Sequence, residues 1–176
     1  MDKKLKKGGE DVKVFHKVID TCLNILATIA GLALGFLLIA ICYSTFSRVA
    51  FHNPMSNLIE YSAYSLIYIT FLGAPWILKQ RGHITVDLIL EMMSKKKKYL
   101  MNMMTDIAGS LICSVVFWEG AVVVWSNIRE NIKVMDSMGT PQFLLIIVIP
   151  IGSFFMVIQF LRNAAEDYQL WKAGEN

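Results

Sequence analysis

Three carboxylates, Glu60, Asp106 and Glu119, stand inside or at the edge of long apolar runs of this 176-residue chain, and they are the first places to look for chemistry. Charge is costly in hydrocarbon, so an acid there marks either a transport path or a contact with a neighbour. Three separated acids with no cation inside an apolar run make a thin relay, and hydrogen bonding to another helix or snorkelling to the interface accounts for each of them better. Glu60, at the mouth of its run, has Arg48, solvent or another protein within its choice of partners. Arg81, Gly82, His83 and Asp87 form a second group. Gly82 permits a sharp change of direction and Arg81 offers a two-pronged donor to a carboxylate, which reads as hinge and anchor. No nucleophile, metal set or phosphate loop accompanies them, and no catalytic motif occurs elsewhere, so an enzyme is not expected.

The remaining reactive side chains point the same way. His16, His52 and His83 all fall outside the apolar runs, whereas haem ligation in a bundle needs His at membrane depth, which disfavours a haem- or quinone-carrying anchor of an oxidoreductase. Cys22, Cys42 and Cys113 are widely spaced with no CxxC pair and read as small buried apolar residues. The ten Met read as adaptable packing, since no paired His or Cys joins them. No cofactor and no metal is expected.

The elements that must position these residues are set by composition. Apolar residues make up 55% of the chain and the mean hydropathy is +0.50, too apolar for a domain with a wet surface. Charged residues, 18% of the total, gather at the N-terminus, around 79–98 and after 162. The gaps between them predict transmembrane helices over about 21–47, 57–78, 99–128 and 137–161, each near or above the roughly 20 residues that a hydrocarbon core of about 30 Å requires. Pro141 suits a first helical turn and Pro150 predicts a kink, tolerable where neighbouring helices satisfy the freed backbone groups. The first apolar run is too long for a signal-peptide core and is expected to stay in the protein.

With four spans both termini share a side, and that side collects fourteen of the seventeen Lys and Arg, leaving only Arg48, Arg129 and Lys133 opposite. The positive-inside rule then predicts cytoplasmic N- and C-termini. The net charge of +3 follows from this bias and reads as contact with anionic lipid at the cytoplasmic face, with no nucleic acid required. Between the second and third spans, Asp87, Glu91, Ser94 and Lys98 recur along one narrow stripe opposite a wide apolar arc, which predicts a short in-plane amphipathic helix over about 84–94. The expected fold is therefore an all-α membrane protein, a single domain of four transmembrane helices plus this interfacial helix. In the first span, Ala27, Gly31 and Gly35 repeat every four residues, a small-residue face that fits close packing either within this bundle or against another protein. No internal repeat is apparent, which argues against a duplicated carrier with its own midplane site.

Phe71-Leu72-Gly73-Ala74, followed by Arg81-Gly82-His83-Ile84-Thr85-Val86-Asp87, resembles the signature of the small membrane subunit, the DctQ or SiaQ type, of tripartite ATP-independent periplasmic (TRAP) transporters. Glu60 at the opening of the second span and Pro150-Ile151-Gly152 in the fourth stand where that family has Glu and an apolar-Pro-apolar-Gly run, and the four-span layout matches across nearly the whole chain. Pro75 and the four-Lys run before the third span depart from the pattern.

The resemblance implies a bacterial inner-membrane uptake system in three parts. A periplasmic substrate-binding protein captures an organic acid of the C4-dicarboxylate or sialic acid class. A large membrane subunit carries it inward with sodium by an elevator-type motion, and the small subunit holds that large subunit's static part. On this reading Gly31, Gly35, Glu60, Gly73, Arg81, Gly82, His83, Asp87, Pro150 and Gly152 are structural or subunit-interface residues, and Arg48, Arg129 and Lys133 help dock the binding protein. The competing readings are a stand-alone small exporter acting as a dimer and the oxidoreductase anchor.

Overall fold

A computed structural model describes residues 2–51, 56–80, 95–134 and 139–173. Among these residues the chain forms α1 (Asp2–Phe51), α2 (Ser56–Lys79), α3 (Lys95–Arg129), α4 (Gln142–Ile146) and α5 (Val148–Ala173). Four segments are long and apolar enough to cross a membrane: His16–Ala50, Glu60–Lys79, Lys97–Arg129 and, across α4 and α5 together, Gln142–Ala173. All four expected spans are present, and three overrun their apolar runs. At 50 residues α1 is about 75 Å long, far more than a bilayer needs, because its charged N-terminal stretch continues the helix. The last span begins at Gln142 and continues past the apolar run to Ala173. The expected in-plane helix over 84–94 lies outside the described residues.

The prolines explain the local breaks. Pro150 has no N–H for the carbonyl of Ile146 and its ring crowds that position. The helix is accordingly interrupted at Ile147, between α4 and α5. Pro141 stands just before α4 with extended backbone. It pairs with Lys133 in an isolated antiparallel bridge, and Val134 N–H donates to the Thr140 carbonyl at 2.9 Å. Asn131 and Gly139 take positive φ of 51° and 65° on either side of that short hairpin-like connection, a conformation in which Gly avoids steric cost and Asn is tolerated.

The helices stand in an open row, α1–α2–α5–α3. α3 packs mainly on α5, α1 mainly on α2, and α2 joins the two pairs through α5. At one end of the row Asp20 meets Lys79 and Arg162, and Asn163 meets Leu78. At the other end Tyr61 Oη lies 3.3 Å from Thr140 Oγ1. Between them, Tyr68 Oη donates to the Leu144 carbonyl. These contacts make α2 and α5 parallel and give a ruler for depth. At 1.5 Å per residue the Lys79–Arg162 level and the Tyr61–Thr140 level are about 30 Å apart, one hydrocarbon thickness.

The buried core is small, as expected where the solvent is lipid. Ala30, Leu72 and Val148 form its centre, with Leu26, Ile67, Tyr68, Phe71 and Ile149 packed around them. Most of the large apolar side chains of α1 and α3 face outward.

Candidate functional site

Where α1, α2 and α5 converge, one carboxylate holds two cations. Arg162 Nη1 donates to Asp20 Oδ1 at 2.8 Å, and Lys79 Nζ lies 3.3 Å from the same oxygen. Arg162 also lies 3.4 Å from Gln159 Oε1; Gln159 Nε2 donates to Asn163 Oδ1 at 2.9 Å, and Asn163 Nδ2 reaches the Leu78 carbonyl at 3.4 Å. Gln159, Asn163 and Asp167 are all buried, so α5 carries a polar stripe at helical spacing just where α2 ends. Hydrogen-bonded chains of this kind fix helix register better than apolar contact does. The network clasps three of the four crossing segments. Sequence reasoning used Lys79 and Arg162 only as counted charges and did not foresee the clasp. The signal was available in the 159, 163, 167 spacing beyond the last apolar run.

A second junction lies farther into the row. Pro75, fully buried in α2, supplies no N–H for the Phe71 carbonyl one turn earlier. The backbone of Gly152 is packed against that carbonyl so closely that a Cβ at 152 would stand inside it. Gly73, about half a turn away and so on the other side of α2, faces Ala30 of α1, with a modest 3.8 Å between a Cβ there and the Ala30 methyl. Phe71 and Gly152 thus meet where α2 and α5 cross, and Gly73 meets Ala30 where α2 and α1 cross. On α3 the approach to α5 uses two glycines that sequence reasoning missed. A Cβ at Gly109 would come 2.6 Å from the Phe160 ring, and one at Gly120 would come 3.2 Å from Pro150 Cδ. Their separation of eleven residues is three helical turns, which was the available clue.

The other expected site residues are spread out. Gly31 and Gly35 have nothing within 4 Å of where a Cβ would be, so α2 does not fill their face. Gly31 instead borders an open groove of about 590 Å³ between α1 and α2, lined also by Ala27, Ala30, Gly73 and Trp76. Glu60 is half-buried near the far end of α2, and among the described residues neither it nor Arg48 has an ion-pair partner. Arg48 borders a groove at that end of α1 and α2, with Ser44 and Ser62. Arg129 and Lys133 are exposed around the connection after α3. The three basic residues therefore sit at opposite edges of the row and form no common patch. Asp106 is half-buried and Glu119 is exposed on α3. Cys42 is exposed on α1, whereas Cys22 and Cys113 are partly covered. Arg81, Gly82, His83 and Asp87 lie outside the described residues.

Among the described residues this arrangement brings no nucleophile together with a base. What it builds is a held set of membrane helices with wide apolar faces. Residues 37–170 match the family model described as the DctQ component of tripartite ATP-independent periplasmic transporters. The chain is 20% identical over 162 residues to a Haemophilus influenzae protein named as a TRAP transporter small permease protein, an overlap covering 92% of this chain and 96% of that one. It is 18% identical over 116 residues to the isethionate TRAP transporter permease protein DctMQ of Oleidesulfovibrio alaskensis, covering 66% of this chain but only 18% of that much longer relative.

Proposed function

Because this chain belongs to the DctQ component family of tripartite ATP-independent periplasmic transporters, and so is a multi-pass inner-membrane transporter subunit and not an enzyme, we propose that it is the static scaffold on which a large transport subunit moves. The observation that carries this reading is the pairing of an internally clasped row with outward faces left uncovered. The Asp20–Lys79–Arg162 network ties α1, α2 and α5 together, while apolar side chains such as Leu32, Ile39, Leu111 and Trp125 face away from the protein's own core. Helices set in a row offer a large subunit broad contact, Gly31 and Gly35 face open space, and half-buried Glu60 has no ion-pair partner among the described residues.

In the full system the large subunit moves an organic acid inward with sodium. The longer DctMQ relative is named for isethionate, and the substrate in this system, of the carboxylate or sialic acid class, is chosen by the binding protein and the large subunit. Both termini lie in the cytoplasm, where the Lys-rich segments meet anionic lipid. Arg81, Gly82, His83 and Asp87 anchor the segment after α2, Gly152 keeps α5 close to α2, and Pro150 meets α3 at Gly120. Arg48, Arg129 and Lys133 give the periplasmic binding protein a secondary contact, reached from both edges of the row.

Co-purification tests the reading. The tagged chain, expressed with the large subunit of its transporter and extracted in mild detergent, is expected to bring that subunit down in stoichiometric amount. Recovery of the chain alone, together with solute flux in vesicles that contain no other protein, would refute it.

A further inference from the structure

On α3, Glu119 points out of the protein at a depth where lipid has nothing to offer it. Gly120 packs against Pro150, twelve residues above Arg162 on α5, which puts this level about 18 Å from the clasp and about 12 Å inside the far edge of a core of about 30 Å. Glu119 is exposed there, in a shallow groove of about 320 Å³ between α3 and the α4–α5 junction, among Val115, Val116, Val123 and Ile149. It makes no hydrogen bond or ion pair among the described residues. Next to it Trp118, 67% exposed, holds an indole N–H with no acceptor of its own. Trp normally seeks the headgroup belt, and a carboxyl group at this depth normally has a partner.

An acceptor and a donor side by side on an otherwise apolar helix face are a recognition element, not a lipid contact. We propose that the Glu119 face of α3 is where a transmembrane helix of the large subunit docks, presenting a hydrogen-bond donor, cationic or amide, to the Glu119 carboxyl group. This rests on the scaffold reading above. The occupant follows from chemistry and connectivity: acyl chains carry no donor, and in the fused relative the matching stretch is 18% of a single longer polypeptide, so its partner is covalently at hand. The flanking residues Val115 and Val122, one turn to either side and both exposed, supply the apolar seam.

Two measurements on the assembled transporter test this. A photo-crosslinking amino acid at position 115 or 122 is expected to give adducts with the large subunit. Glu119→Leu is expected to lower recovery of the large subunit about 3- to 30-fold, the range spanned by one interhelical hydrogen bond in a membrane. Because Glu119 is exposed, this substitution leaves the fold of the chain itself intact. Adducts to lipid alone, adducts to a second copy of this chain, or unchanged recovery with Glu119→Leu would each overturn the proposal. If the unmodified chain fails to bring down a large subunit at all, the scaffold reading itself falls.

Discussion

Replacing Gly152 by Ala adds one methyl group at the crossing of α2 and α5, and the structure fixes both the sign and the size of the effect. In a helix with room to spare, Gly→Ala is stabilising by about 1 kcal/mol through backbone entropy. At 152 the new Cβ meets the carbonyl of Phe71, a backbone atom held in place by α2, so no side chain can rotate away to make space. Relief requires the two helices to part, and overpacking of this kind costs about 1–3 kcal/mol. Gly35→Ala is the internal control, since nothing lies within 4 Å of its Cβ and the same methyl there is expected to be neutral or stabilising by up to about 1 kcal/mol. The two variants should therefore differ by roughly 1–4 kcal/mol. Denaturant titration in mild detergent, followed by Trp fluorescence, measures that difference. Equal midpoints for the two variants would show that the close approach of Gly152 to Phe71 is not what holds α5 to α2.

Asp20→Ala leaves Arg162 and Lys79 facing each other without their shared carboxylate and should cost about 1–2 kcal/mol in the same titration, discounted for partial exposure; an unchanged midpoint would remove the clasp as a source of rigidity. Tyr68→Phe deletes the hydrogen bond to the Leu144 carbonyl beside the α4–α5 break and should cost about 1 kcal/mol, with loosening localised by hydrogen exchange to 142–147. Gly31→Leu is expected to leave the isolated chain within about 0.5 kcal/mol of the parent, because it enters an open groove, yet to reduce recovery of the large subunit if α1 also meets it. Equal loss of stability in the isolated chain would place that face inside the protein. The triple reversal Arg48→Glu, Arg129→Glu and Lys133→Glu should weaken binding-protein docking and transport without loss of assembly, and unchanged transport would count against any docking role for these residues.

The four crossings were legible because charge-free runs of about 20 residues leave few alternatives in a chain this apolar. The ends were less so. Charged residues extend α1 at its start and the last span at its finish, and hydropathy alone does not tell a helix that continues into water from one that stops. Pro150 announced a break, and the break is where its ring geometry requires it, at Ile147. The clasp was harder to read, since Asp20, Lys79 and Arg162 are separated by 59 and 83 residues in sequence and become neighbours only through the α1–α2–α5 order. Gly109 and Gly120 looked like unremarkable small residues until α3 was placed against Phe160 and Pro150. Gly152 was singled out for its motif, but its reason lies on another helix, at a carbonyl that Pro75 leaves without its usual donor. Pro75, a departure from the family pattern at first sight, is thus part of the same joint.

The order of the row differs from the order of synthesis. The segment made after α3, α5, is the one that lies between α2 and α3. Until it inserts, the α1–α2 hairpin has its main contact in place, while α3 lacks, among the described residues, the helix it mainly packs on. A chain cut short before residue 142 would keep the α1–α2 contact and deprive α3 of the helix it mainly packs on. Insertion of α5 is therefore a joining step, in which one helix comes to lie between neighbours made before it and contacts both.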